Sequence, residues 1–446
     1  MPQYEIKDGV GIIPDYVTEI EEYAFCDCEE LISITIPESV IKIGNGAFSG
    51  CTGLRSFTIP YSVTEVGSNA FKGCTGLKSI TISGSVIKIG NNAFWGCTGL
   101  TSITIPHSVT EIGFRAFEGC KGLTSIVVSK KNKIYDSRNH CNAIIKTDSN
   151  CLIAGCQHTV IPDSVTMIGN RAFWRCTGLT SISIPDSVTE IGNGAFLGCT
   201  GLTSVINPDS VTEIGDRTFS GCTGLISINI PHKVTKIGNG AFLGCIGLIS
   251  IAIPNLVTEI GDSAFEECSG LTSISIPDSV TEIGNYAFED CTGLTSITIP
   301  DSVKKIGYRT FAGCAELTSV NIPHKVTKIG NGVFWGCIGL TSVTIPDSVT
   351  EIGNYAFEGC TGLISIAIPN SVTKIGDNAF SGCTGLKSIT IPFSVEKIGD
   401  SVLYGCSKLN SVSIPKSIIR SFDFNCLLNG CDKVSKILIS DGDKEL

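Results

Sequence analysis

The chain has little charge for its length. Only 17% of its 446 residues are Asp, Glu, Lys or Arg, and the balance is acidic, with a net charge of -10. A basic surface able to displace counterions from a phosphate backbone is therefore missing, which argues against nucleic acid or an anionic membrane as the main partner. Long apolar runs are missing too. Nothing approaches the roughly 18 to 20 residues that a bilayer crossing needs, and the longest candidate, residues 244–257, is broken by Ser250, Pro254 and Asn255. This argues against membrane insertion. The opening MPQYEIKDGV carries Glu5, Lys7 and Asp8 where a signal peptide needs an apolar core, so the chain as written is expected in the cytoplasm. No C-x-x-C clamp occurs, and no Gly-rich phosphate loop opens a helix.

What fills the chain is one sentence, repeated. IPDSVTEIGNYAFEDCTGLTSITIP, residues 276–300, recurs with small edits from end to end. Prolines stand at 14, 37, 60 and 106 and then every 23 residues from 162 to 415, with Ser83 and Ser129 in the gaps of the series. Counting proline as position 0, the pattern is P-x-S-V-x-x-I-G-x-x-A-F-x-G-C-x-x-L-x-S-I-x-I. Its apolar positions 3, 6, 10, 11, 14, 17, 20 and 22 fit no single helical or strand period, so each repeat needs two conformations. L-x-S-I-x-I alternates as a strand does, and the proline after it ends the ladder. V-x-x-I-G is a second short extended piece, whose glycine at position 7 is expected to take a positive φ. A-F-x-G-C fits one helical or 3-10 turn closed by glycine. One such coil buries too little apolar surface to offset the ordering of its backbone, so coils must stack on one another.

The recurring L-x-S-I-x-I-P-x-S-V-x-x-I-G-x-x-A-F-x-G-C resembles the BspA-like (Treponema pallidum type) class of leucine-rich repeats over nearly the whole chain. The resemblance implies an α/β repeat solenoid. It would be a curved, right-handed coil of about seventeen 23-residue units, with the L-x-S-I-x-I strands as a parallel sheet on the concave face and short helical or 3-10 turns outside. It also implies a bacterial protein of the cell surface, or a secreted one, that binds host or bacterial proteins in adhesion, as the alternative to a cytoplasmic location. A single solenoid domain is expected over residues 1–446. Residues 1–36 form an N-terminal capping coil, 129–161 an irregular long repeat with a β-hairpin, and 416–446 a degenerate C-terminal cap and tail, with the closing DGDKEL solvated.

Sixteen of the 22 cysteines share position 14. Stacked coils repeat about every 4.8 Å with side chains parallel, whereas a disulfide needs Cβ atoms about 3.8 Å apart and facing each other. The ladder is therefore one of thiols acting as small buried hydrophobes. Fifteen of the 20 phenylalanines share position 11 as a stacked spine. The period breaks between Ser129 and Pro162, where CNAIIKT and CLIAGCQ flank the turn residues Asp148, Ser149 and Asn150. His140, Cys141, Cys151, Cys156 and His158 gather there. They spell either a zinc set or an irregular coil with buried thiols, and the second is adopted because motif matches of this size arise readily by chance. A Cys141–Cys151 disulfide requires an oxidising compartment.

Chemistry finds no foothold elsewhere. His107, His232 and His324 sit on separate coils. Neighbouring carboxylates such as Glu190 with Glu213 and Glu259 with Glu282 belong to a periodic solvated column shared with Lys236 and Lys305. The chain is read as non-enzymatic, with no catalytic residue, cofactor or metal. Strand positions 18, 19 and 21 point outward and are lined by Ser and Thr. Contact residues are expected where that polar surface is interrupted: Ile206, Ile226, Ile249 and Ala252, with a smaller echo at Ile364 and Ala367. At TSVINPDS, residues 203–210, the sister order is inverted, so Ile206 is expected to face solvent and Asn207 the core. Trp95, Trp174 and Trp335 share position 12 with Leu197 and Leu243, as a second contact surface or a column lying flat on neighbouring coils. The function expected is a protein-binding scaffold; the alternative is a structural spacer or self-assembling module. The sequence names no protein ligand and sets no oligomeric state.

Overall fold

The computed structural model describes residues 4–419 and 424–440. The DGDKEL tail and residues 420–423 of the expected C-terminal cap lie outside the described residues. The chain is a parallel β-solenoid of about 18 turns of about 23 residues, falling into two compact units, Met1–Val211 and Thr212–Leu446. Within each unit the apolar columns set the core. In the coil that opens at Pro254, the side chains of Val257, Ile260, Ala264, Phe265, Cys268 and Leu271 are wholly buried, with Ile274 and Ile276 nearly so. Two sets of short parallel strands result. In the second unit Ser227–Asn229, Ser250–Ala252, Ser273–Ser275 and Ser296–Thr298 pair in register, and Glu213–Ile214 through Lys305–Ile306 form a five-stranded partner sheet. In the first unit Glu19–Ile20, Lys42–Ile43, Glu65–Val66, Lys88–Ile89 and Glu111–Ile112 do the same.

The outer A-F-x-G-C segment is a run of hydrogen-bonded turns. Its amides alternate between a carbonyl three residues back and a carbonyl of the next coil, as in Cys268 N to Phe265 O (3.1 Å) and Phe265 N to Ala287 O (2.8 Å). Among the described residues helix is confined to Arg138–His140, Lys416–Ile419 and Phe424–Leu428. The position-7 glycine departs from expectation, because it does not have a positive φ. Gly284 is glycine because a Cβ there would lie 2.5 Å from backbone of the preceding coil, so close coil-to-coil approach imposes it. The left-handed residues stand instead at positions 9 and 13, as in Gly240 (φ 58) and Gly244 (φ 69).

Three ladders the repeat pattern did not advertise tie coil to coil. Asn or Asp at position 8 accepts the backbone N–H of the same position in the next coil: Asp262 N to Asn239 Oδ1 (2.9 Å) and Asn285 N to Asp262 Oδ1 (2.7 Å). Ser at position 2 donates backward, as Ser371 Oγ does to Val349 O at 2.7 Å. In the regular coils the position-14 thiol donates to the phenylalanine carbonyl of the preceding coil, as in Cys291 Sγ to Phe265 O (3.1 Å) and Cys51 Sγ to Phe25 O (2.9 Å). The thiols are thus donors as well as hydrophobes. The phenylalanine spine stacks with centroids 5.2–5.5 Å apart from Phe25 to Phe117, and 5.3–5.7 Å apart from Phe219 to Phe380.

In residues 129–161, Tyr135–Asp136, Ala143–Lys146 and Cys151–Gly155 pair antiparallel before Cys151–Gly155 rejoins the parallel ladder at Met167–Ile168. Gly155 here takes the place that phenylalanine holds in the regular coils. Its N–H donates to Ala172 O at 2.8 Å, and a Cβ on it would lie 2.1 Å from the Phe173 ring. The spine therefore stops at Phe117 and resumes at Phe173.

Burial pushes the thiols of Cys120, Cys268, Cys337 and Cys383 up to about 12. The folded chain keeps these protons while the unfolded chain releases them above pH ~8.5. Stability is therefore whole below that pH and falls as pH rises toward 12, by about 1.4 kcal/mol per pH unit for each such thiol. The urea midpoint should be level between pH ~7 and ~8 and drop steeply by pH ~10. A level profile through pH ~10.5 would contradict this protonation scheme.

Candidate interaction surfaces

The sequence-predicted contact residues are all exposed: Ile206 and Ala252 by period-2 alternation within their strands, Ile226, Ile249 and Ile364 at the position just before the strand, and Ala367 just beyond its bridge. In the second unit Ile226 is 51% and Ile249 52% exposed, and they are neighbours, since Ile249 N donates to Ile226 O at 3.1 Å. Ala252 is exposed in the same strand as Ser250 and pairs in register with Asn229 and Ser275. Thr272 N continues the ladder to Ile249 O at 3.2 Å. The result is an apolar pair in a field of hydroxyls and amides. Ile364 and Ala367 are also exposed, in a coil whose strand shrinks to one bridge between Ser365 and Ser388; they form a separate pair on coils remote in sequence from Ile249. Ile206 belongs to the first unit. It ends the strand Ser204–Ile206, opposite Ser183, and is 66% exposed, while Asn207 is buried.

The position-5 column alternates charge across the first unit: Glu19 meets Lys42 at 2.8 Å, and Lys88 lies between Glu65 (3.9 Å) and Glu111 (3.3 Å). In the second unit Glu259 and Glu282 are in register, each with its own lysine, Lys236 at 3.9 Å and Lys305 at 3.6 Å. Lys374 and Lys328 flank Glu351 at 2.6 and 3.0 Å and hold its carboxyl below the usual range.

Around the hairpin, Cys141 and Cys156 turn their sulfurs to backbone carbonyls of Ala143 (3.9 Å) and Asn142 (3.3 Å). Among the described residues no three His, Cys, Asp or Glu side chains converge as metal ligands, and all 22 cysteines are thiols. The tryptophan column divides. Trp95 and Trp174 meet at 5.8 Å in the first unit. Trp335 in the second unit is 39% exposed and carries the Arg309 guanidinium 4.6 Å from its ring centre. Arg309 in turn pairs with Glu289 at 2.5 Å, and Tyr286 and Tyr308 pack edge-on at 4.6 Å. This aromatic cluster escaped sequence reasoning because its tyrosines occupy two different columns. Their signal is the replacement, at positions 8 and 9, of the usual Asn and small residues by Tyr308, Tyr286 and Tyr355.

The BspA type leucine-rich-repeat region model matches residues 18–144, 149–272, 258–363 and 327–446. Among solved structures, a leucine-rich-repeat protein from Bacteroides ovatus is 30% identical, with 97% of each chain covered and a TM-score of 0.60. A leucine-rich cell surface protein from Faecalibacterium prausnitzii is 38% identical over 59% of this chain and 70% of its own, with a TM-score of 0.53. A Eubacterium ventriosum leucine-rich-repeat protein, 23% identical over 70% of this chain and 92% of its own, shares the fold with a TM-score of 0.56. No curated protein matches the chain. Among the described residues no helix is long and apolar enough to cross a membrane.

Most position-14 thiols are buried, whereas Cys26, Cys28, Cys151 and Cys176 are half-buried and Cys426 is exposed. Iodoacetamide at neutral pH should label these five before any fully buried ladder thiol, and urea without reductant should open the rest. Peptide mapping that finds Cys268 or Cys337 labelled as fast as Cys426 would refute the burial order.

Proposed function

The chain belongs to the BspA-type leucine-rich-repeat family, a class of repeat scaffolds typical of protein-interaction and surface proteins, and from that premise we propose that it binds a protein ligand through the strand face of its second unit. The observation that supports this most is the adjacency of Ile226 and Ile249, each half-exposed on a strand face made mostly of Ser, Thr and Asn. An apolar pair within a polar field is what a partner desolvates at the centre of a contact, while the surrounding hydroxyls serve as rim. Ala252 keeps the surface beside Asn229 low, so a partner side chain can approach the backbone. Ile364 with Ala367 is a second, smaller contact, and Ile206 a further one in the first unit. The Faecalibacterium relative is described as a cell surface protein, which supports an adhesive role at a bacterial surface.

This reading needs no catalysis, and the scaffolds of this family are generally non-enzymatic. The spacer alternative draws on Trp335 and the tyrosines around it, an exposed aromatic cluster suited to self-association.

Immobilised full-length chain should retain a protein from host-cell or source-cell lysate, and the Ile226→Asp/Ile249→Asp double variant should lose at least about tenfold of that retention. Ser342→Ala on a distant strand should lose none. Retention unchanged in the double variant rejects this surface. Concentration-dependent association of the chain alone, abolished by Trp335→Ser with no partner retained, establishes the spacer reading in its place.

A further inference from the structure

The break in the phenylalanine spine has a consequence within the first unit. Where a regular coil would put a phenylalanine between Phe117 and Phe173, the chain puts Gly155, and a cavity of about 370 Å³ remains. Its effect on the walls is measurable. Phe94 and Cys97 are wholly buried one coil away, but Phe117 is 8% and Cys120 6% exposed, and Cys176 is only half-buried. Cys176 finds a distant acceptor, Gly155 O at 3.7 Å, where the regular thiols bond near 3 Å. Trp174 leans across the gap, so that a Cβ on Gly119 would lie 2.8 Å from its ring, and meets Trp95. The body of the cavity is apolar: Phe117, Ile153, Ala154, Met167 and Trp174.

Its mouth is charged. Glu118 is buried to 3% at its side chain, in contact with Arg115 and 3.5 Å from Arg171 Nη1. The side chains of Arg115 and Arg171 are about one-third exposed and border the cavity. A third cation, Arg175, stacks on Trp174 at 4.6 Å and acts on the same carboxylate. Burial pushes the Glu118 carboxyl up, and Arg115 opposes that push. Burial pushes the Cys151 thiol up, with Glu190 adding to that push and Lys146 opposing it. One carboxylate therefore meets the two guanidiniums that line the chamber, with the charge of Arg175 beside them on Trp174, a surplus of positive charge around an apolar chamber. That surplus is unusual in an acidic chain.

We propose that this cavity binds a small organic anion with a flat apolar body, such as an aryl carboxylate. The ring enters the chamber between Trp174, Ala154 and Phe117, and the carboxylate takes the outward-facing N–H groups of Arg115 and Arg171. The volume falls within the range of small-molecule sites, which are apolar chambers with a few placed polar groups. Guanidinium supplies the strong, directional contact to a carboxylate. The site belongs to the first unit and does not depend on the proposed protein-contact strands of the second.

The test is calorimetric titration of the full-length chain with naphthalene-2-acetate, its uncharged amide naphthalene-2-acetamide, and acetate. Naphthalene-2-acetate should bind saturably at one site, with the amide at least about tenfold weaker and acetate without measurable heat. Arg171→Gln should weaken the anion by about tenfold and leave the amide unchanged. Ala154→Trp, which fills the chamber, should abolish both, with circular dichroism confirming its fold. Arg309→Gln, a tryptophan-stacked arginine of the second unit, should change nothing. Equal binding of anion and amide overturns the charge assignment, and so does an unaltered anion affinity in Arg171→Gln. Anion binding that survives Ala154→Trp overturns the location. Absence of saturable binding by naphthalene-2-acetate overturns the site.

Discussion

Every coil leans on the register between itself and the next. Because coils repeat at the spacing of adjacent strands, about 4.8 Å, each inward side chain lies against its own copy one turn away. This spacing admits only certain residues. It imposes glycine at Gly284, where the preceding backbone passes too close for a Cβ, and it lets phenylalanine rings stack nearly parallel from Phe219 to Phe380. It also decides where polar groups go. A side chain able to reach one coil's distance to a carbonyl or an amide, as Asn239, Ser371 and Cys291 do, becomes a rung in a ladder.

Much of this architecture is legible in the sequence because periodicity multiplies every signal. The burial of Val257, Ile260, Ala264, Phe265, Cys268 and Leu271 stems from apolar positions repeated coil after coil. The outward turn of Ala252 and Ile206 stems from strand alternation. Illegible from one pattern were features that depend on backbone angles and on inter-coil distance. The left-handed residues proved to be at positions 9 and 13, where Arg217, Tyr286, Glu267 and Asp290 disguise a glycine site. The position-8 amide ladder hid behind a column that mixes Asn, Asp, Ser, Phe and Tyr. The cavity beside Gly155 was invisible because it arises from what the long unit leaves out, and a missing side chain writes nothing in the sequence.

Variation in such a chain is informative only against its own background. A column of serine states a structural rule, and an isoleucine inside it states an exception. Ile226 and Ile249 break the polar strand face, the Tyr286–Tyr308 pair breaks the outer surface, and Gly155 breaks the spine. The first two exceptions add apolar surface to a scaffold that is otherwise uniform, and the third removes it. A long array tolerates such departures because each coil is supported from both sides.

The ladders also have a direction. Hydroxyl and thiol donors at Ser371, Thr373 and Cys383 all reach back to carbonyls of the preceding coil, while outer amides such as Phe357 N reach forward to Ala379 O. A coil added at the C-terminal edge therefore finds the acceptors of its hydroxyls and thiols in the coil before it. The groups left open at its far edge are amides and carbonyls that water satisfies. Such a protein can be laid down in the order of its synthesis, each turn finishing the one before it.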